Sequence, residues 1–312
     1  MMKPSINKIA VIGSGVIGSG WAIRLLANNK IVNIYDPKKS QQNFLKSEIR
    51  RISKSVLKFY KIKKLNLKNL NFKNSIKEAV EEADLIQENA PENIKIKKKI
   101  VMEISKWAKK NSIIASSSSG LLPTKIQESC INPERFIIAH PFNPVYLLPL
   151  VELVKGKKTE ESYIKKSETF YKSIGMSTLI LKKEVEGYIS DRLQESMWRE
   201  SLHILNRNLA STDDLDKAIS QGPGMRWALM GAFMTFYLAG GKLGMKHYIE
   251  QFGPALKLPW TNLKAPILTN KLKEKMIKGT NRQTNKKTIA ELTNIRDNFL
   301  VDLIKIKNKH KI

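Results

Sequence analysis

Two side chains are well placed, by type and by context, to move a proton: His140 and Glu152, twelve positions apart. His140 opens the stretch His140-Pro141-Phe142-Asn143-Pro144 and follows an apolar run, 135–139, that reads as a buried strand. The two prolines have no N–H to donate, so the strand is expected to stop at His140. An imidazole at the carboxyl end of a strand sits where open α/β sheets bind ligands. Glu152 is a lone carboxylate inside the apolar run 150–154. Burying it is costly without a partner, and a nearby histidine is the simplest partner. An imidazole oriented by a carboxylate is a general base. The plainer alternative is a core histidine and a glutamate that faces water.

A second constellation would hold a phosphate-bearing cofactor. The apolar run Lys8–Ile12 leads into Gly13-Ser14-Gly15-Val16-Ile17-Gly18, and a helical pattern follows from Trp21. In this strand–turn–helix setting Gly13 makes the tight turn, Gly15 lets the backbone approach a pyrophosphate, and Gly18 lets helix and strand pack closely. The helix N-terminus then offers N–H groups to the phosphates. A second strand, 31–35, ends at Asp36, 21 positions after Gly15. An acid there accepts a ribose 2′-hydroxyl and repels a 2′-phosphate, so NAD is expected over NADP.

The elements that must position these residues read as an α/β chain. Strands are expected at 84–88 and 112–115, with a helix near 75–82 before the first and one near 94–109 between them. Four serines and a glycine, Ser116 to Gly120, follow the strand at 112–115 and read as a polar loop at the sheet edge. The alternation predicts a Rossmann-type doubly wound, mostly parallel sheet. After Gly187 the strand signals end. Ser211-Thr212-Asp213-Asp214 reads as a helix start, and residues 188–312 are expected to form an all-α domain after a cofactor domain at 1–187.

Composition narrows the class. At 312 residues and 42% hydrophobic content, the chain is long enough for two domains with real cores. No secretory h-region and no apolar run of membrane-spanning length is evident. One cysteine, Cys130, fits a reducing cytoplasm without disulfides; it sits in 128–133 near an expected helix end. No metal is expected. The net charge is +27, yet the lysine runs at 61–64, 95–100 and 305–311 are not interleaved with aromatics. They read as solvated faces, so neither specific nucleic-acid binding nor membrane binding is expected.

These residues resemble the 3-hydroxyacyl-CoA dehydrogenase superfamily, from Lys8 to about Trp260. The resemblance is carried by the glycine turn, Ala90-Pro91-Glu92-Asn93 with Lys97, the strand and serine loop, and the His140 segment with Glu152. It implies a catalytic dyad of His140 and Glu152, an assisting serine at Ser119 with Ser117 or Ser118 as alternatives, and Glu92 and Lys97 near the cofactor cleft. It also places Phe142 and Asn143 beside the substrate and suggests a homodimer through the helical domain. The family's assisting asparagine falls at Asp191 in Gly187-Tyr188-Ile189-Ser190-Asp191-Arg192. An ionised carboxylate accepts hydrogen bonds without donating and favours a nearby cation over an anion.

Within the superfamily, the segments 194–200, 222–228 and 251–260 are similar to the bacterial L-carnitine 3-dehydrogenase branch. The lambda-crystallin/L-gulonate dehydrogenase branch is a more distant match. The resemblance implies oxidation of a quaternary-ammonium hydroxy acid by NAD. Such a substrate wants an aromatic cage and a cationic side chain for its carboxylate. Candidate aromatics are Phe142, Tyr146, Tyr188, Trp198, Trp227 and Phe233; candidate carboxylate ligands are Arg192 and Arg226. Oxidation of 3-hydroxyacyl-CoA or L-gulonate, and a non-catalytic NAD-binding role like that of the crystallins, are the alternatives.

Overall fold

The fold was taken from a computed structural model that describes residues 6–52, 54–228, 230–240, 244–254, 258–261, 267, 269–274 and 286–309. Of the branch-like segment 251–260, residues 255–257 lie outside the described residues. Eight strands form one sheet: β1 (Lys8–Ile12), β2 (Ile31–Tyr35), β3 (Leu70–Phe72), β4 (Leu85–Glu88), β5 (Ile113–Ser116), β6 (Phe136–Pro141), β7 (Leu150–Lys155) and β8 (Ser177–Ile180). Their order is β3-β2-β1-β4-β5-β6-β7-β8. All neighbours run parallel except β6 and β7. The central strands are apolar runs that are buried along nearly their whole length, as expected where helices cover both faces. The order reverses between β1 and β4, and a doubly wound sheet has its ligand crevice at that switch point.

Helices α1 (Val16–Ala27), α2 (Lys39–Arg51), α3 (Lys54–Phe59), α4 (Ile76–Val80), α5 (Ile94–Trp107), α6 (Pro123–Gln127) and α7 (Glu161–Ser173) connect the strands. Two begin on side-chain caps: Ser75 accepts from Glu78 N, and Asn93 accepts from the backbone of Lys95 and Ile96. Such caps satisfy N–H groups that a helix start leaves unpaired.

One strand end differs from expectation. β6 continues through Pro141, which pairs with Val151. Its last pair with β5 is Ser116–Ile138, so beyond that residue a missing N–H leaves no gap in the β5 ladder.

After Ile180 no strand occurs among the described residues. The remaining helices among the described residues include α8 (Ser190–Asn206), α9 (Thr212–Ser220), α10 (Pro223–Trp227), α11 (Ala232–Ala239), α12 (Met245–Phe252) and α13 (Ile289–Lys309). Ser211 and Asp214 form a reciprocal capping box at the start of α9. The architecture is therefore a Rossmann-type, mostly parallel sheet followed by an all-helical region. Two compact units result: Met1–Asp191 with Arg296–Asp302, and Arg192–Ile295 with Leu303–Ile312.

The loop after β6 is held from several sides within the first unit. Arg24 of α1 is 2% exposed. Its Nε donates to Val145 O at 2.6 Å, Nη2 to Leu148 O at 3.0 Å and Nη1 to Ile174 O at 3.1 Å. Tyr60 donates to Tyr146 O, and the Tyr146 hydroxyl donates to Asp297 Oδ2 at 2.5 Å. Burial pulls the Arg24 guanidinium below its usual range; its partners are backbone carbonyls. Replacing it strips those carbonyls while relieving the buried charge, and the lost hydrogen bonds dominate. Arg24→Met should lower unfolding free energy by about 2–4 kcal/mol in urea titration; a loss below about 1 kcal/mol would mean that the loop is held without it.

Candidate active site

Glu152 is fully buried on β7, directly opposite His140 on β6 in the antiparallel ladder. Directly opposed residues on one face of such a pair bring their side chains into contact. Glu152 Oε2 lies 2.9 Å from His140 Nδ1. Its Oε1 accepts from Ile189 N at 3.1 Å, Ser190 N at 2.9 Å and Ser190 Oγ at 3.1 Å. Burial alone would raise the Glu152 carboxyl. The hydrogen bonds from His140 and Ser190 outweigh it and hold the group below the usual carboxylate range. An ionised Glu152 can only accept, so the hydrogen-bond network assigns the ring proton to Nδ1 and leaves a lone pair on Nε2. Asp191 Oδ2 lies 3.6 Å from that Nε2.

Aromatic rings frame the imidazole. Phe142 meets it edge-on with centroids 4.8 Å apart, and Tyr188 is tilted at 5.5 Å. Tyr188 is fully buried, and its hydroxyl donates to Leu121 O at 2.8 Å. It adopts a left-handed φ of +46° directly after Gly187 at +71°. A non-glycine residue in that region is strained, and such strain concentrates where surrounding structure fixes a side chain. Tyr188 thus supports His140 as a wall. Tyr146 is committed inward to Asp297. Asn143 is exposed at a cis bond to Pro144.

The serine loop is sorted by its hydrogen bonds. Ser116 Oγ donates to Glu88, Ser117 Oγ to Asn89 Oδ1 at 2.8 Å, and Ser118 Oγ to Glu92 Oε1 at 2.5 Å. Ser119 is exposed, and its N–H donates to Glu92 Oε1 at 3.1 Å. Its hydroxyl makes no hydrogen bond among the described residues. Burial would raise Glu92, but Ser118, Lys97 and the N–H groups of Gly120 and Leu121 hold it below its usual range.

Lys97 is 1% exposed and donates to both Glu88 oxygens at 3.1 Å and to Ala90 O at 3.0 Å. Glu92 Oε2 lies 3.5 Å away. Lys97 is therefore a buried support beneath the loop. Its partner Glu88 was missed by the sequence reading: it ends the short strand Leu85-Ile86-Gln87-Glu88, where Gln87 and the preceding Asp84 hide the signal that singled out Glu152. Cys130 is buried, which pushes its thiol up to about 11; a protonated thiol is a poor nucleophile.

The glycine turn fits a dinucleotide. A Cβ on Gly18 would fall 1.9 Å from Gly13 O, so helix and strand approach too closely for any side chain. Gly13 has φ +88°, and a Cβ there would meet Asn89 O at 2.7 Å. Around Gly15, by contrast, there is open space. Gly15 is the N-cap of α1, with no side-chain cap and no acid in the first turn. That leaves the helix start for phosphate, and Val16 and Ile17 carry its first N–H groups. Asp36 also ties this turn down: Oδ2 accepts from Ser14 N at 2.8 Å, and Oδ1 accepts from Lys38 N at 2.9 Å.

The first unit thus gathers His140, Glu152, Phe142 and Asp191 at one place, and joins Glu92 to the serine loop and to Lys97. Arg192, Trp198 and Arg226 belong to the second unit. Arg192 and Trp198 lie on α8 and Arg226 on α10, and all three are exposed.

Residues 8–185 match the family model "3-hydroxyacyl-CoA dehydrogenase, NAD binding domain", and residues 187–283 match "3-hydroxyacyl-CoA dehydrogenase, C-terminal domain". The chain is 47% identical to an L-carnitine dehydrogenase of Bacillus cereus over 99% of its own length and 95% of the relative's. It is 48% identical to one of Oceanobacillus iheyensis, over 96% of this chain and 97% of that one. Among solved structures, it is similar to the NAD-dependent dismutase 5-formyl-3-hydroxy-2-methylpyridine-4-carboxylic acid 5-dehydrogenase. That similarity has TM-score 0.79 and 26% identity, over 96% of this chain and 98% of the other. The chain belongs to the 3-hydroxyacyl-CoA dehydrogenase family of NAD-dependent oxidoreductases.

Proposed function

We propose that the protein oxidises the 3-hydroxyl of L-carnitine to 3-dehydrocarnitine, with His140 as general base and Glu152 as its orienting acid. The observation that carries the chemistry is the fully buried Glu152 carboxylate, 2.9 Å from His140 Nδ1. The substrate is supported by relatives named L-carnitine dehydrogenase at 47% and 48% identity over nearly the whole chain.

NAD, when bound, accepts hydride from the carbinol carbon. The protein's part is alignment and proton transfer. His140 Nε2 takes the hydroxyl proton, and Glu152 stabilises the resulting imidazolium through Nδ1–H. Ser119 holds the substrate oxygen, since its hydroxyl is not committed inward. Phe142 and Asn143 flank the substrate. Trp198 contributes an aromatic face to the ammonium, and Arg192 and Arg226 take the substrate carboxylate. Gly13 to Gly18 would hold the pyrophosphate of NAD, Asp36 its adenosine ribose, and Glu92 and Lys97 would border its nicotinamide.

In this scheme residues 1–187 carry NAD and the dyad, and residues 188–312 serve the substrate and a homodimer contact in the cytoplasm. Exposed apolar side chains such as Leu193, Met225 and Phe233 support such a contact. No described helix is long and apolar enough to cross a membrane.

NADH formation should be rapid with L-carnitine and slow with D-carnitine, L-gulonate or 3-hydroxybutyryl-CoA. His140→Ala should cut kcat by about 10³-fold or more while NAD affinity changes little. Faster turnover of the CoA ester than of carnitine would overturn the substrate, and loss of NAD binding by His140→Ala would overturn its role. Asp36→Ala should weaken NAD and raise the relative use of NADP; an unchanged cofactor ratio would remove Asp36 from ribose recognition.

A further inference from the structure

We propose that Asp191 selects, by charge, substrates that carry a cation on the carbon next to the carbinol carbon. This rests on the carnitine reading above and names the side chain that recognises the ammonium.

The placement of Asp191 is fixed by the same carboxylate that orients the base. Glu152 Oε2 holds His140 Nδ1, while Oε1 takes Ile189 N, Ser190 N and Ser190 Oγ. Those groups start α8, and Asp191 is the next residue, in its first turn. Its Oδ2 stands 3.6 Å from His140 Nε2, and the side chain is 30% exposed. That distance is too long for a hydrogen bond, so Asp191 does not hold the imidazole as Glu152 does. It stands instead beside the one ring nitrogen that must face the reacting hydroxyl.

The geometry then constrains the substrate. A hydroxyl poised for proton transfer lies about 2.6–3.2 Å from Nε2. Staggered single bonds put a nitrogen on the adjacent carbon about 3–4 Å from that hydroxyl oxygen. A cation at that position comes within reach of Asp191; an anion or a polar acyl group there meets a carboxylate instead. A quaternary ammonium has no N–H, so its recognition needs charge and apolar contact rather than a hydrogen bond. The Phe142 ring, with its centroid 4.8 Å from that of the imidazole, supplies apolar surface beside His140. Solvent reaches Asp191 and screens the attraction, leaving a contribution of about tenfold to a hundredfold in relative rate.

The test compares L-carnitine with its uncharged isostere 3-hydroxy-5,5-dimethylhexanoate, in which carbon replaces the nitrogen. The kcat/KM of both is measured for the wild type and for Asp191→Asn, at saturating NAD. The wild type should prefer carnitine, and Asp191→Asn should lower the carnitine-to-isostere ratio by about tenfold to a hundredfold. Because the readout is a ratio within one protein sample, a partly unfolded variant cannot mimic it. An equal fall on both substrates would overturn the inference, leaving the carnitine reading intact and assigning Asp191 to His140 alone. A wild type that turns over the isostere but not carnitine would overturn both.

Discussion

The site depends on one buried charge. Glu152 lies at a position where water cannot solvate it, and an isolated carboxylate there would be prohibitively costly. Its lone pairs are met by the His140 ring and by three donors at the start of α8. Removing either partner would strand an unpaired charge, at a cost of about 3–5 kcal/mol. The carboxylate therefore ties together the end of β6, the middle of β7 and the first turn of α8. Orientation of the His140 ring and placement of Asp191 are two consequences of a single electrostatic requirement.

A second buried pair repeats this logic at the end of β4, two strands from β6. Lys97 and Glu88 neutralise each other under the loop after β4, and Ser116 and Ala90 fill the remaining acceptor positions on Glu88. Glu92 then collects Ser118 and three backbone N–H groups, so the serine loop is pinned while the Ser119 hydroxyl takes no part in these bonds. The glycine turn lies beside these loops at the switch point, and Gly13 packs against Asn89. The His140 imidazole, the serine loop and the glycine turn are thereby each held by hydrogen bonds or close packing.

Much of this was legible in the sequence because the governing rules are local. The glycine turn needs only its strand, its helix start and Asp36, all within thirty residues. His140 and Glu152 stood out because each interrupts an apolar run. The helical texture after Gly187 was readable from the loss of strand signals. What escaped was set by distant partners. Arg24 is one residue of the helical pattern after Trp21, and only the carbonyls of Val145 and Leu148 mark it as a buried clamp. Asp36 reads as a ribose ligand, yet its bond to Ser14 also braces the turn. Four adjacent serines look alike in sequence; the family resemblance points to Ser119, and only the partners on β4 and its loop show that the other three hydroxyls are committed. Pro141 continued its strand because β5 had already ended beside it.

The central claim is that ionised Glu152 fixes His140 with its proton on Nδ1 and its lone pair on Nε2. Nitrogen-15 NMR of the imidazole in the NAD-bound protein, near neutral pH, measures this directly. A single ring proton is predicted on Nδ1 rather than Nε2, with that preference lost in Glu152→Gln. A ring protonated at Nε2 in the wild type, or one unaffected by Glu152→Gln, would contradict it.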